Sequence, residues 1–463
     1  MSRADGLWPL AIGGYCAVQV LLRLLIGPAL ELDEAEAFFH ARQLAWGYGP
    51  QPPLYFWLQW VLFQIFGESL LALAVLKALL LGGTLLAVLH LARPVLGPVG
   101  AAATALSLGL LPQVLWEAQR ALTHSVLVLL LAVATTSLAL RALRRGDWMS
   151  HLLLGLGMGL GVLSKYNFVF WPAALLTAAV VLPEWRARLR PTRLGLALLA
   201  VVGVCAPHLL WIVSHPEAAG ASAHKLGLSE AGHAQAIIRG TLNLVAAGLS
   251  FLALAVLVLG PLLWCRRDRL TITPVVRFLL TASFCAIGLV WLSLVVSSAS
   301  NVRDRWLLPL LWPVAPAAVM LVWQTLPARG RERLIGGLAA PWIVAAALLP
   351  YASLVDPGWR GLDWRPLAGE LRRLGGGEVR PVFTDDPFVA GNLVFLAPSL
   401  DPVLVQDLDT IGPGAVLILR KGEASSAAPA LGEAGMRAEV VAVRGVRRTL
   451  ELVLAHPEAA GGR

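Results

Sequence analysis

Within ten residues, Glu31-Leu-Asp33-Glu34-Ala-Glu36-Ala-Phe-Phe-His40 gathers four carboxylates and a histidine directly after an apolar run. Carboxylates crowded at a membrane edge lose hydration and repel one another, which raises their pKa values and suits one of them to general-base work. On a helix, Asp33 and Glu36 lie near one face, as do Glu36 and His40, while Glu34 points elsewhere. The competing reading is a solvated acidic first turn favoured by the helix dipole. The segment continues Tyr48-Gly49-Pro50-Gln51-Pro52-Pro53-Leu54-Tyr55-Phe56-Trp57, in which three prolines fix the backbone ahead of an aromatic cluster. That cluster can lie along the interface as an amphipathic element or be an ordinary aromatic belt.

Cations complement the acids. Arg23 and Lys77 fall in the first and second apolar runs, Lys165 in Leu163-Ser164-Lys165-Tyr166-Asn167, and Arg303 and Arg305 in Asn301-Val-Arg303-Asp304-Arg305-Trp306. Such groups at headgroup level can hold a phosphate, arginine in a bidentate way and lysine as a point charge. Snorkelling to anionic lipid is the alternative, weakest for Lys165 in its short turn. His124, His208 and His215 show no metal-ligand spacing and read as hydrogen-bonded structural groups. The expectation is no metal site and no certain cofactor, with a divalent cation left open. There is no phosphate-binding glycine loop and no dinucleotide fingerprint.

These groups must be carried by membrane-spanning helices. Of 463 residues 57% are hydrophobic and 14% charged, against about 25% charged in soluble proteins. Eleven apolar runs long enough or nearly long enough to span are read at 7–30, 71–92, 97–115, 121–142, 149–163, 168–183, 194–214, 241–264, 275–297, 306–325 and 334–354. With the N-terminus inside, the inner loops hold sixteen basic and five acidic groups and the outer loops seven basic and nine acidic. Positive-inside bias then places the C-terminus outside, with the acidic segment in the first outer loop, 31–70. The first run carries Arg23 and lacks a small-x-small site, so it reads as an uncleaved anchor. Cys16, Cys205, Cys265 and Cys285 all fall in or at the ends of apolar runs and read as small apolar residues rather than a disulfide set.

After about residue 355 no run is long enough to cross a membrane. Strand-like segments at 379–384, 402–405, 415–420, 438–444 and 449–454 alternate with helix-compatible stretches near 364–374, 387–396 and 426–434. The expected organisation is a transmembrane part, 1–354, and a small extracytoplasmic α/β domain, 355–463.

At these residues the chain resembles the GT-C polyprenyl-phosphate-dependent glycosyltransferases of glycosyltransferase family 39, related to protein O-mannosyltransferases and the aminoarabinose transferase that modifies lipid A. The likeness runs in order over most of 1–330: Asp33-Glu34, Tyr48-x-x-x-Pro52-Pro53-Leu54, Gly67-Glu68, Lys77, Leu163-Ser164-Lys165-Tyr166, Pro207-x-Leu-Leu-Trp211 and Asp304-Arg305-Trp306. It implies a polyprenyl-phosphate sugar donor, a lipid, glycan or protein acceptor at the outer face of the inner membrane, and an inverting transfer. Asp33 is then similar to the family's general base, with Glu34 beside it; Lys165, Tyr166, Arg303, Arg305 and Lys77 are similar to donor-phosphate contacts. His40, Tyr48, Gln51, Pro52, Pro53, Glu68 and His124 fall in the implied substrate pocket. The chain departs from many relatives in having Gln51 where they have histidine and Thr123-His124 where they have Pro-Asp, which bears on sugar and acceptor identity.

A secondary transporter or lipid flippase is the main alternative, but such proteins place ionisable groups near the midplane on interrupted helices. Here they gather towards one face. A non-enzymatic envelope scaffold leaves the acidic loop and Lys165 unused. The pI of about 9.9 reflects inner-loop arginines that set topology and does not imply a nucleic-acid partner.

Overall fold

In hydrocarbon a backbone N–H or C=O finds no water, so an apolar run that crosses must bond within itself as a helix. Each of the eleven runs falls mainly on helical segments in the computed structural model, which describes residues 3–27, 29–220, 233–374, 381–405, 415–420, 436–445 and 447–457. Among the described residues, seven helices are long and apolar enough to cross a membrane, or eight if the pair Asp304–Leu311 and Val314–Trp323, bent by 44°, is one span. The eleven-span count therefore rests on sequence rather than on helix length. Runs 71–92 and 97–115 belong to one helical stretch, Leu70–Leu106, broken at Gly97. There φ is +70° and Pro94 and Pro98 flank the break, a backbone state that favours glycine. Trp148–Ser164 and Phe170–Val181 have 17 and 12 residues, short of the ~20 that a perpendicular crossing needs.

The chain divides into two units, one of residues 1–19, 45–57 and 77–346, the other of residues 20–44, 58–76 and 347–463. In the first, helices α1 (Trp148–Ser164) and α2 (Pro191–Ser214) pack closely. A Cβ on Gly155 would stand 2.2 Å from Ala197 O, and one on Gly159 would stand 2.8 Å from Val204. Glycines four apart thus open one face of α1 to a neighbour, as membrane helices commonly do. Asp147 caps α1 by accepting from Ser150 N–H at 2.8 Å. The buried Trp171 indole donates to Ala132 O and Thr136 Oγ1, each at 3.1 Å.

In the second unit a mixed five-stranded sheet has order β2-β1-β3-β5-β4. Its strands are β1 Val382–Thr384, β2 Val403–Leu404, β3 Val416–Arg420, β4 Met436–Arg444 and β5 Thr449–Pro457. β1 runs parallel to β2 and β3, whereas β5 pairs antiparallel with β3 and β4. The five strand-like segments read from sequence match these strands, and two helix-compatible stretches match Arg365–Leu374 and Pro387–Leu396. The third, 426–434, lies outside the described residues. The core of the sheet includes Val405, Leu417, Leu419, Val453 and Ala455.

Candidate active site

The acidic segment of the second unit is helical over Leu32–His40, and its start is a capping box between Glu31 and Glu34. Neighbours Asp33 and Glu34 meet opposite surroundings. Glu34 is 2% exposed and lies between two buried arginines. Arg23 donates from Nε at 3.1 Å and Nη2 at 2.7 Å; Arg360 donates from Nη2 at 2.7 Å and Nε at 3.3 Å. Arg23 also donates to the carbonyls of Ile26 and Ala29. Burial pushes the Arg360 guanidinium below its ordinary range, with Arg23 acting in the same sense and Glu34 and Glu31 opposing. Two charges against one are held in place of water, and neither arginine is offered to a ligand.

Asp33 is half-buried and its carboxylate makes no hydrogen bond or ion pair among the described residues. His40 ends the helix with its ring edge-on to Phe39, and burial lowers its imidazole to about 4, so it is neutral at neutral pH. Glu68 is surface-exposed and pairs with Arg42 at 3.1 Å, and Arg42 also bonds Asp401 at 2.8 Å.

The first unit collects most of the remaining residues. Tyr48 is buried, its hydroxyl accepts from Ala45 N–H at 2.7 Å, and its ring lies 4.7 Å from that of Phe56. Gln51 is half-buried, and Pro52 and Pro53 are buried ahead of helix Leu54–Phe66. The rings of Tyr55 and Phe56 lie 5.0 and 4.8 Å from that of His124, whose Nδ1 approaches Ser164 O at 3.4 Å. Lys165, at the end of α1, donates to Ser125 Oγ at 2.7 Å. Lys77 is buried within Leu70–Leu106.

Tyr166 lies 3.0 Å from His208 Nε2, and His208 Nδ1 lies 2.7 Å from Trp46 O. A carbonyl only accepts, so the proton sits on Nδ1 and Nε2 accepts from the Tyr166 hydroxyl. Tyr166, His208, Trp211 and His215 then stack with successive interplanar angles of 13°, 10° and 11°. Asn167 donates to Trp306 O at 2.8 Å, which ties the Lys165 turn to the Arg303–Arg305 segment. Gln113 donates to Asp304 at 2.8 Å in the same segment. Arg303 is exposed and Arg305 half-buried. A largely apolar cavity of about 260 Å³ adjoins this junction, lined by Asn167, Phe170, Ser297, Asn301, Trp306 and Leu310 among others. Thus Tyr48, His124, Lys165, Tyr166, Arg303 and Arg305 share one connected neighbourhood, while Asp33, Glu34, His40 and Glu68 belong to the other unit.

Sequence reasoning missed Ser125 and Arg360. Ser125 follows His124 in the first turn of its helix and was within reach of the motif reading. Arg360 carried no local signal; only the need of a buried carboxylate for cations could have sent a search for it.

Comparison with known proteins supplies the class. The family described as dolichyl-phosphate-mannose-protein mannosyltransferase matches residues 50–211. Lipopolysaccharide core galacturonosyltransferase RgtB of Rhizobium johnstonii is 34% identical over 89% of this chain and 85% of its own length. RgtA of the same organism, with the same description, is 32% identical over 90% of this chain and 87% of its own length. The crystal structure of ArnT from Cupriavidus metallidurans in the apo state covers 100% of both chains with a TM-score of 0.66 at 15% identity. Fold and relatives define a multi-pass membrane glycosyltransferase of the GT-C type. Within that class, the chain belongs to the family that contains the lipopolysaccharide core galacturonosyltransferases. The transferase reading therefore stands over the transporter, flippase and scaffold alternatives.

Proposed function

We propose that the protein moves galacturonic acid from a polyprenyl-phosphate carrier to a lipopolysaccharide core acceptor at the outer face of the inner membrane, with the N-terminus inside and residues 355–463 outside. The observation that carries the chemistry is Asp33, a half-buried carboxylate with no partner among the described residues, on a helix whose neighbouring Glu34 is fully engaged. A general base must keep its lone pairs for the incoming proton. The sugar and acceptor are supported by the descriptions of the two relatives. The carrier is supported by the ArnT structure determined with undecaprenyl phosphate, and an apolar cavity beside Asn167 suits hydrocarbon.

In this mechanism the acceptor hydroxyl gives its proton to Asp33 as its oxygen attacks the anomeric carbon, and the bond from that carbon to the phosphate oxygen breaks with its electron pair leaving on phosphate. Attack opposite the leaving group inverts the centre. Phosphate passes from one negative charge to nearly two, so cations stabilise the departing group more than the bound donor. Lys165, Arg303 and Arg305 of the first unit are cations of the kind that a departing phosphate and a uronate carboxylate call for. Tyr166 and His208 fix the Lys165 turn. Glu34 is a positioning group for the acidic helix. Purified protein in nanodiscs, supplied with radiolabelled polyprenyl-phosphate galacturonic acid and core lipopolysaccharide, tests the reading. Asp33→Asn should lower transfer by about 10²–10⁴-fold, and activity within a few-fold of wild type would remove Asp33 as the base.

A further inference from the structure

The acidic helix is held from the far end of the chain. Ala29 N–H donates to Arg360 O at 3.3 Å. Asn392, wholly buried, accepts from Leu30 N–H at 2.9 Å and donates to Leu30 O at 3.4 Å. After Asp33, Arg360 grips Glu34, and the carbonyl of Ala35 lies against Gly391, where a Cβ would stand 2.1 Å from its oxygen. Every one of these residues belongs to the same unit.

Residues 29–30 and 34–35 bracket Asp33, so ties on both sides stop the helix from turning about its axis. A side-chain end lies roughly 6 Å from a helix axis, so a turn of about 10° moves a carboxylate by about 1 Å. Misplacement on that scale can lower a rate by about 100-fold.

We propose that Arg360, Gly391 and Asn392 are positioning residues for sugar transfer, fixing the 29–35 segment so that Asp33 meets the acceptor hydroxyl; this rests on reading Asp33 as the base. The post-membrane region is then part of the catalytic apparatus rather than an appended module. Its contribution is orientation: none of the three residues touches substrate in this scheme.

The test measures kcat, donor KM and melting temperature for the full-length protein in nanodiscs. Asn392→Ala and Gly391→Ala should lower kcat about 10- to 100-fold, with donor KM within about threefold of wild type. Arg360→Lys should recover part of the turnover lost in Arg360→Met. A merely structural role would lower kcat only in proportion to the loss of folded protein, so that Asn392→Ala and Gly391→Ala corrected for their folded fraction would match wild type, and that result overturns the proposal. If Arg360→Met does not fold, Asn392→Ala and Gly391→Ala decide, because both leave the ion triad intact. Asp33→Asn run alongside separates the two readings. Loss of activity there with kcat within twofold of wild type in folded Asn392→Ala and Gly391→Ala overturns the positioning role alone; retained activity there removes the base and the inference with it.

Discussion

Asp33 and Glu34 are consecutive acids with separate fates, and substitution should tell them apart. Glu34→Gln leaves two buried guanidinium groups facing each other without a carboxylate between them, which costs about 3–5 kcal/mol; a fall in melting temperature of the detergent-solubilised protein reads this out. Asp33→Asn removes no observed partner and should leave the melting temperature nearly unchanged while transfer is lost. His40 adds a pH dependence. Its folded value is about 4 against an ordinary 6.5, so between those values the unfolded chain binds more protons and stability falls as pH falls. His40→Gln should therefore lose less melting temperature than wild type between pH 7.5 and pH 4.5, and equal losses would show that His40 is not the group responsible.

At the scale of elements, the turn after α1 sets the cation. A Cβ on Gly161 would stand 2.0 Å from the buried Phe168 ring, so Gly161→Ala should cost about 1–3 kcal/mol by overpacking. The same substitution displaces Lys165 and should raise donor KM more than acceptor KM; equal changes in both would detach the turn from the donor. Helix positions, the acidic helix and all five strands were legible in the sequence, because periodicity and composition are local properties. That Glu34 turns away from Asp33 followed from helical geometry alone. The Arg360 clamp, the Asn392 bracket and the stack on Trp211 were not legible, because each joins segments distant in sequence. Helix lengths were legible only in part: Gly97 and its flanking prolines break a helix without ending the apolar run.

For the whole molecule, orientation is the testable property. The positive-inside reading puts the Cys265 end of helix His233–Cys265 on the cytoplasmic side, beside Arg266, Arg267 and Arg269. Cys265 is the exposed cysteine; Cys205 is buried and Cys16 and Cys285 are half-buried. A membrane-impermeant maleimide should label intact spheroplasts poorly and permeabilised ones well, with Cys265→Ser abolishing the difference; strong labelling of intact spheroplasts would reverse the topology. The clamp on Glu34 has a consequence in time as well. A ribosome delivers Arg23 and Glu34 hundreds of codons before Arg360, so for most of translation the acidic helix waits with half of its counterions unmade. In the proposed scheme the base is fixed in place only late in biogenesis, so a chain truncated before Arg360 should turn donor over more slowly than the full-length protein.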